Sequence, residues 1–96
     1  MRVAGSFRVP LGHPALAGHF PGYPLVPGSL ILELVIAACG ATCLGIPVAR
    51  FHAPLPPEHE VEVGFEPGPK PGTVTFECRC GTQRVCSGCL LTGPAP

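Results

Sequence analysis

In the stretch "GHFPGYPLVPGSLILELV" (residues 18–35), three groups have the types and spacing to act together: the His19 imidazole, the backbone N–H groups at Gly28 and the Glu33 carboxyl. A neutral histidine takes up a proton near physiological pH. Gly28 stands where a helix is expected to begin, and the dipole and orphan N–H groups of a helix start favour an anionic oxygen. Glu33 falls inside the apolar run Leu30 to Cys39. A carboxyl in apolar surroundings resists ionisation, which suits a proton donor. Base, N–H donors and acid form a constellation for removing a proton beside a carbonyl.

Simpler roles fit Glu33 less well. A capping-box acid follows the N-cap by three residues, and from Ser29 that position is Leu32. Its helical neighbours four residues away are Ser29 and Ala37, and the helix contains no Lys or Arg to pair with. A carboxylate at a seam of the core, reaching water, stays open beside the functional reading. His19 alone is a weak signal, since a loop histidine is commonly solvated. Its setting strengthens it: Pro21, Pro24 and Pro27 restrict the backbone that follows and suit a residue held in place.

The elements that must position these groups follow from periodicity. "RVAGSFRV" (2–9) predicts a first strand, and Pro10 to Pro27 is a loop too rich in Pro and Gly for helix or ladder. Ser29 is a candidate N-cap for a helix from Leu30 to about Leu44, stopped by Gly45 and Pro47. Apolar residues cover its circumference, so protein should surround it. Strands are expected at "VARFHA" (48–53), "EVEVGF" (60–65), "TVTFECRC" (73–80) and "RVCSGCLL" (84–91), with turns at "PGPKPG" and "GTQ". The pattern is one strand, a loop, one buried helix and a four-strand meander. It predicts an α+β fold in which an antiparallel sheet wraps around one long central helix, with residues 1–96 as a single domain.

At this point the chain resembles a known family. His19-Phe20-Pro21-Gly22, then Pro27-Gly28, then an acid fourteen positions after the histidine are similar to the signature of the β-hydroxyacyl–acyl-carrier-protein dehydratases of the hotdog fold. "RFHAPLPPEHEVEV" resembles the family's strand, Pro-containing turn and next strand. The resemblance implies that His19 removes the α-proton of a 3-hydroxyacyl thioester and that the Gly28 N–H polarises the thioester carbonyl. It implies that Glu33, from the other subunit of a dimer, protonates the departing hydroxyl. Phe20, Pro21, Gly22 and Pro27 are then substrate-binding residues. The implied substrate is carried on an acyl-carrier protein or coenzyme A, in fatty-acid, polyene or polyketide-type synthesis, with no metal or organic cofactor. The chain is short for the family, and the elements that extend the substrate tunnel look trimmed. Two alternatives share the fold: a thioesterase in which an acid activates water, and a non-catalytic subunit that binds a carrier protein or a paralogous partner. The H-F-P-G loop argues against the first, and the joint presence of His19 and Glu33 against the second.

Composition narrows the classes further. Of 96 residues 46% are apolar, which argues against disorder, while only 12% are charged. So few charges, with an all-round apolar helix, leave more apolar surface than so short a chain covers, and a two-fold homodimer, or a heterodimer with a paralogous subunit, is expected to cover it. Net charge is zero and no basic run points to nucleic acid. "MRVAGSFRVP" lacks a signal peptide's apolar stretch, and the longest apolar run is too short to span a bilayer. A cytoplasmic protein with six reduced cysteines and no membrane insertion is expected. "CRC" (78–80) and "CSGC" (86–89) could suggest zinc, but Cys78 and Cys80 continue the inward register of Val74 and Phe76, while the odd spacing of Cys86 and Cys89 sends them to opposite faces. No metal is expected. Cys39 and Cys43 should share a helix face, and His13, His52 and His59 are assigned solvated or structural roles.

Overall fold

The computed structural model describes residues 2–16 and 25–93. Five strands and one helix follow in the order β1 (Arg2–Arg8), a short 3-10 turn (Pro14–Leu16), α1 (Gly28–Cys39), β2 (Cys43–Phe51), β3 (Glu60–Pro67), β4 (Thr73–Cys80) and β5 (Gln83–Thr92). The strands form one antiparallel sheet in the spatial order β1-β3-β4-β5-β2. The α+β class and the antiparallel sheet around one helix are as expected, but the meander is shorter than predicted. Only β3, β4 and β5 follow one another; β2 pairs with β5 at the far edge. Pro47 fits that place, because a residue without an N–H is tolerated where one side of the strand is unpaired. The ladder shifts register between Gly45 and Val48, around that proline.

Alternation decides which side of each strand meets the helix. Val61 and Val63 of β3, Phe76 and Cys78 of β4, and Cys86 and Leu90 of β5 are all completely buried. They meet Ile31 and Val35 of α1 in one cluster. Burying a side chain of this size contributes roughly 1.5–3 kcal/mol. The inward faces of β3 and β4 are those predicted, and Glu60, Glu62 and Arg79 lie exposed.

The helix differs from expectation at both ends. It starts at Gly28 on Pro27, which is extended (φ −60°, ψ 143°), so Ser29 lies inside the first turn and is not the cap. It stops after Cys39 because Gly40 takes the left-handed conformation (φ 75°), which glycine adopts at no steric cost. Cys43 therefore belongs to β2, where its thiol donates to the Gly45 carbonyl (3.4 Å), and it shares no helix face with Cys39. Nor does one chain surround the helix. Leu30, Ile31 and Val35 are buried, but Ser29, Glu33 and Ala37, at successive four-residue steps, form an exposed stripe.

Packing between β2, β4 and β5 is tightest at Gly88. A Cβ there would overlap the Val48 carbonyl oxygen and lie 2.9 Å from two atoms of the Phe76 ring. The first obstacle is backbone and no rotamer change relieves it. Gly88→Ala should therefore lose about 1–3 kcal/mol of stability. For a domain of this size that lowers the melting temperature by roughly 4–8 °C per kcal/mol. Thermal unfolding measures it, and an unchanged midpoint would refute the close approach.

Candidate active site

Two stretches of backbone are stitched together beside the helix start. The Val26 N–H donates to the Leu55 carbonyl (2.8 Å), and the Glu58 N–H donates to the Val9 carbonyl (2.8 Å). Glu58 holds a left-handed backbone (φ 72°), uncommon for a side-chain-bearing residue, and its carboxylate accepts from the Leu11 N–H. Leu16 and Val26, on either side of the proline-rich loop, are both buried. His19, Phe20, Pro21 and Gly22 lie between them, outside the described residues.

The second stretch forms one wall of a cleft of about 520 Å³, lined by Leu25, Val26, Pro27, Gly28 and Ile31 on one side and by residues 51–55 on the other. Its walls are largely apolar. At its edge the Leu30 and Ile31 N–H groups donate to the Pro27 carbonyl (3.1 and 3.2 Å). The Gly28 N–H, three residues before Ile31, the first donor of a full helical turn, belongs to the set that a helix leaves for other acceptors. The cleft thus combines an apolar chamber with a donor end carrying partial positive charge.

Of the predicted site residues, Pro27 and Gly28 border this cleft and Glu33 does not. Glu33 stands on the exposed stripe of α1, so the expectation of a carboxyl enclosed by apolar groups does not hold within one chain. The cause is the single-sided cover: the sheet packs against the Ile31 and Val35 face and leaves the Ser29, Glu33 and Ala37 face open.

Phe51 and His52 line the cleft; the sequence assigns Phe51 no role and His52 a solvated or structural one. His52 is fixed twice, through its N–H to the Val85 carbonyl (2.8 Å) and through Nε2 to Ser87 Oγ (2.7 Å). His52 is exposed and hydrogen-bonded, within the solvated or structural assignment, and its side-chain partner lies 35 residues away, beyond any local spacing rule. His13 Nδ1 accepts from the Ala15 N–H (3.0 Å) and ties down the 3-10 turn. The signal for Phe51 was present in "RFHAPLPPEHEVEV", but nothing local to that stretch names Gly28 as its neighbour.

These elements match known proteins along most of their length. Residues 1–89 match the family described as ApeI dehydratase. The chain belongs to the ApeI-like dehydratase family. A 3-hydroxyacyl-[acyl-carrier-protein] dehydratase FabZ of Chlamydia trachomatis serovar L2 is 37% identical over 70 residues, covering 57% of this chain and 46% of that protein. Its counterpart in Hydrogenobaculum sp. is 32% identical over 80 residues, covering 68% and 54%. The chain spans about half the length of the curated relatives it matches. Among solved structures, the dehydratase heterocomplex ApeI:P of Xenorhabdus doucetiae superposes with a TM-score of 0.77 at 22% identity, over 93% of this chain and 84% of that one. The fluoroacetyl-CoA thioesterase FlK superposes at 0.70 with 20% identity, over 94% and 86%. At these identities the structural likeness shows the fold, which is the hotdog fold, and nothing more. For this member of the ApeI-like family, no described helix is long and apolar enough to cross a membrane.

No group of three or more His, Cys, Asp or Glu among the described residues is placed to hold a metal ion. Cys78 and Cys86 face each other directly across β4 and β5, both fully buried. The hydrogen bond that Cys78 donates to Cys86, with burial second, pushes the Cys78 thiol far above the ordinary thiol range. Accepting that bond holds Cys86 lower, against the effect of its own burial. A thiol reacts as its thiolate. Iodoacetamide added to the native protein should therefore alkylate half-buried Cys39, Cys80 and Cys89 well before Cys78, as read by peptide mass mapping. Equal labelling of Cys78 in native and denatured protein would show that the buried pair is misplaced.

Proposed function

We propose that this chain is a 3-hydroxyacyl thioester dehydratase whose active site is shared between two subunits. The observation that carries it is the separation within one chain: Gly28 opens on an apolar cleft, while the acid of the motif, Glu33, lies on an uncovered helix stripe outside it. A second chain laid against that stripe would shield Glu33 and set it toward the other subunit's cleft. The free edge of β2 supports the same arrangement, since Leu44 and Val48 stand 62% and 39% exposed on it and an open edge invites a further strand.

In this proposal the thioester carbonyl accepts a hydrogen bond from the Gly28 N–H, which stabilises the enolate charge as it develops. His19 takes the proton from the carbon next to that carbonyl. Glu33 of the second copy gives a proton to the hydroxyl on the following carbon, which leaves as water. The product is a trans-2-enoyl thioester. Phe20, Pro21, Gly22 and Pro27 frame the loop that holds the substrate. Family membership and the FabZ relatives support an acyl-carrier-protein substrate; the proposed setting is cytoplasmic fatty-acid, polyene or polyketide-type synthesis. The ApeI:P neighbour is a heterocomplex, so a paralogous subunit is the alternative partner to a second copy.

The test incubates the protein with a 3-hydroxyacyl thioester on a carrier protein and on coenzyme A, following mass and free thiol. Loss of water supports the proposal and identifies the carrier; release of free thiol without it would establish a thioesterase. Subunit sharing has its own test. His19→Ala and Glu33→Ala, each inactive alone, are unfolded together and refolded as a mixture. Random pairing makes half the dimers mixed, and each mixed dimer holds one intact site of two. About a quarter of wild-type activity should then return. No recovery in well-refolded mixed dimers would place both groups in one chain.

A further inference from the structure

Phe51 ends β2, and its partner across the ladder is Cys86, a core residue, so its side chain leaves the sheet on the face that carries α1. The strand end cannot swing away, because the next residue, His52, is bonded to Val85 and to Ser87. The Phe51 ring therefore points its far edge at the start of the helix. A Cβ built on Gly28 would stand 2.7 Å from Cζ, 3.0 Å from Cε1 and 3.3 Å from Cε2 of that ring. Real Cβ atoms do not approach so closely, so the ring occupies the place where any side chain at Gly28 would be. Yet Phe51 remains 51% exposed and lines the cleft. An apolar ring fixed from behind and open in front is a wall of the chamber.

We propose that Phe51 is the residue that decides which substituents are tolerated on the substrate's α-carbon. This rests on the dehydratase proposal above. A carbonyl oxygen bound at the Gly28 N–H sits about 2.9 Å from that nitrogen, and its α-carbon is only two bonds from the oxygen. The reacting carbon is then held against the same few ångströms of space that the Phe51 ring closes. Hydrogen fits beside the ring. A methyl group at that carbon meets it, and a single methyl in an apolar pocket changes the specificity constant by roughly 10–200-fold. The ring thus selects 3-hydroxyacyl thioesters unsubstituted at the α-carbon.

The experiment compares a 3-hydroxyacyl thioester with its 2-methyl counterpart, of matched stereochemistry at the hydroxyl, for wild type, Phe51→Leu and Phe51→Ala. Wild type should prefer the unsubstituted substrate at least tenfold in kcat/KM. Phe51→Ala should cut that preference at least tenfold, chiefly by improving the methylated substrate, with Phe51→Leu between them. An unchanged ratio in both active variants would overturn the assignment while leaving the dehydratase proposal standing. Absence of water loss from either substrate with wild type would instead overturn the dehydratase proposal and this one with it. A second measurement needs no turnover. Gly28→Ala should lower the melting temperature in wild type through collision with the ring, and should lower it by clearly less in the Phe51→Ala background. Equal losses in both would show that the ring does not sit on Gly28.

Discussion

The contact of the Phe51 ring with the bare Cα of Gly28 is the constraint on which the cleft depends. It arises from the way the chain doubles back. The twelve residues of α1 rise about 18 Å, and Gly40 then reverses the chain with a left-handed residue. The nine residues of β2 travel more than about 25 Å in return, enough to pass the point where the helix began. The strand's last residue therefore comes to rest at the helix's first. Residues 52–55 continue as the far wall of the cleft, and the bond from Val26 to Leu55 closes it. A side chain at position 28 would prop this closure open, and a longer helix would carry β2 out of reach.

Much of this was legible in the residues because the relevant interactions are local. Alternation in β3 and β4 depends on neighbours two apart, and Val61, Val63, Phe76 and Cys78 are buried as alternation demands. The apolar run predicts the helix but not its end: Gly45 and Pro47 are the stronger stop signals, yet Gly40 comes first and its left-handed backbone suffices. The position of β2 depends on a partner some forty residues away, and no local pattern specifies it; Pro47 was the one clue that the strand lies at an edge. Glu33 is exposed, as a carboxylate at a seam reaching water would be, because a single sheet covers only one side of the helix. Ser29, Glu33 and Ala37, the small and polar positions of one stripe, mark the side left open.

That open stripe and the free edge of β2 are two faces of one deficit. A five-stranded sheet covers one side of a helix, and the low share of charged residues leaves little to solvate the other. In the proposed dimer the same covering partner would enclose the apolar helix and would also supply the acid. Stability and chemistry would then share one interface, and a substitution that weakens association would be felt in turnover even where it touches no reacting atom. Such coupling distinguishes a shared site from a self-contained one.

Fold alone does not choose the reaction, since a dehydratase complex and a thioesterase superpose on this chain about equally well. The start of the central helix offers N–H groups that could serve a thioester oxygen in either chemistry. What differs is the next partner of the polarised substrate. A thioesterase must admit water to the carbonyl carbon, so its chamber has to be wet beside the helix start. A dehydratase must keep that carbon from water while a proton leaves its neighbour. Leu25, Val26, Ile31, Phe51 and Leu55 make the walls here apolar, with the Phe51 ring beside Gly28. A donor end set among apolar walls suits elimination better than hydrolysis, and this physical distinction favours the dehydratase where fold is silent.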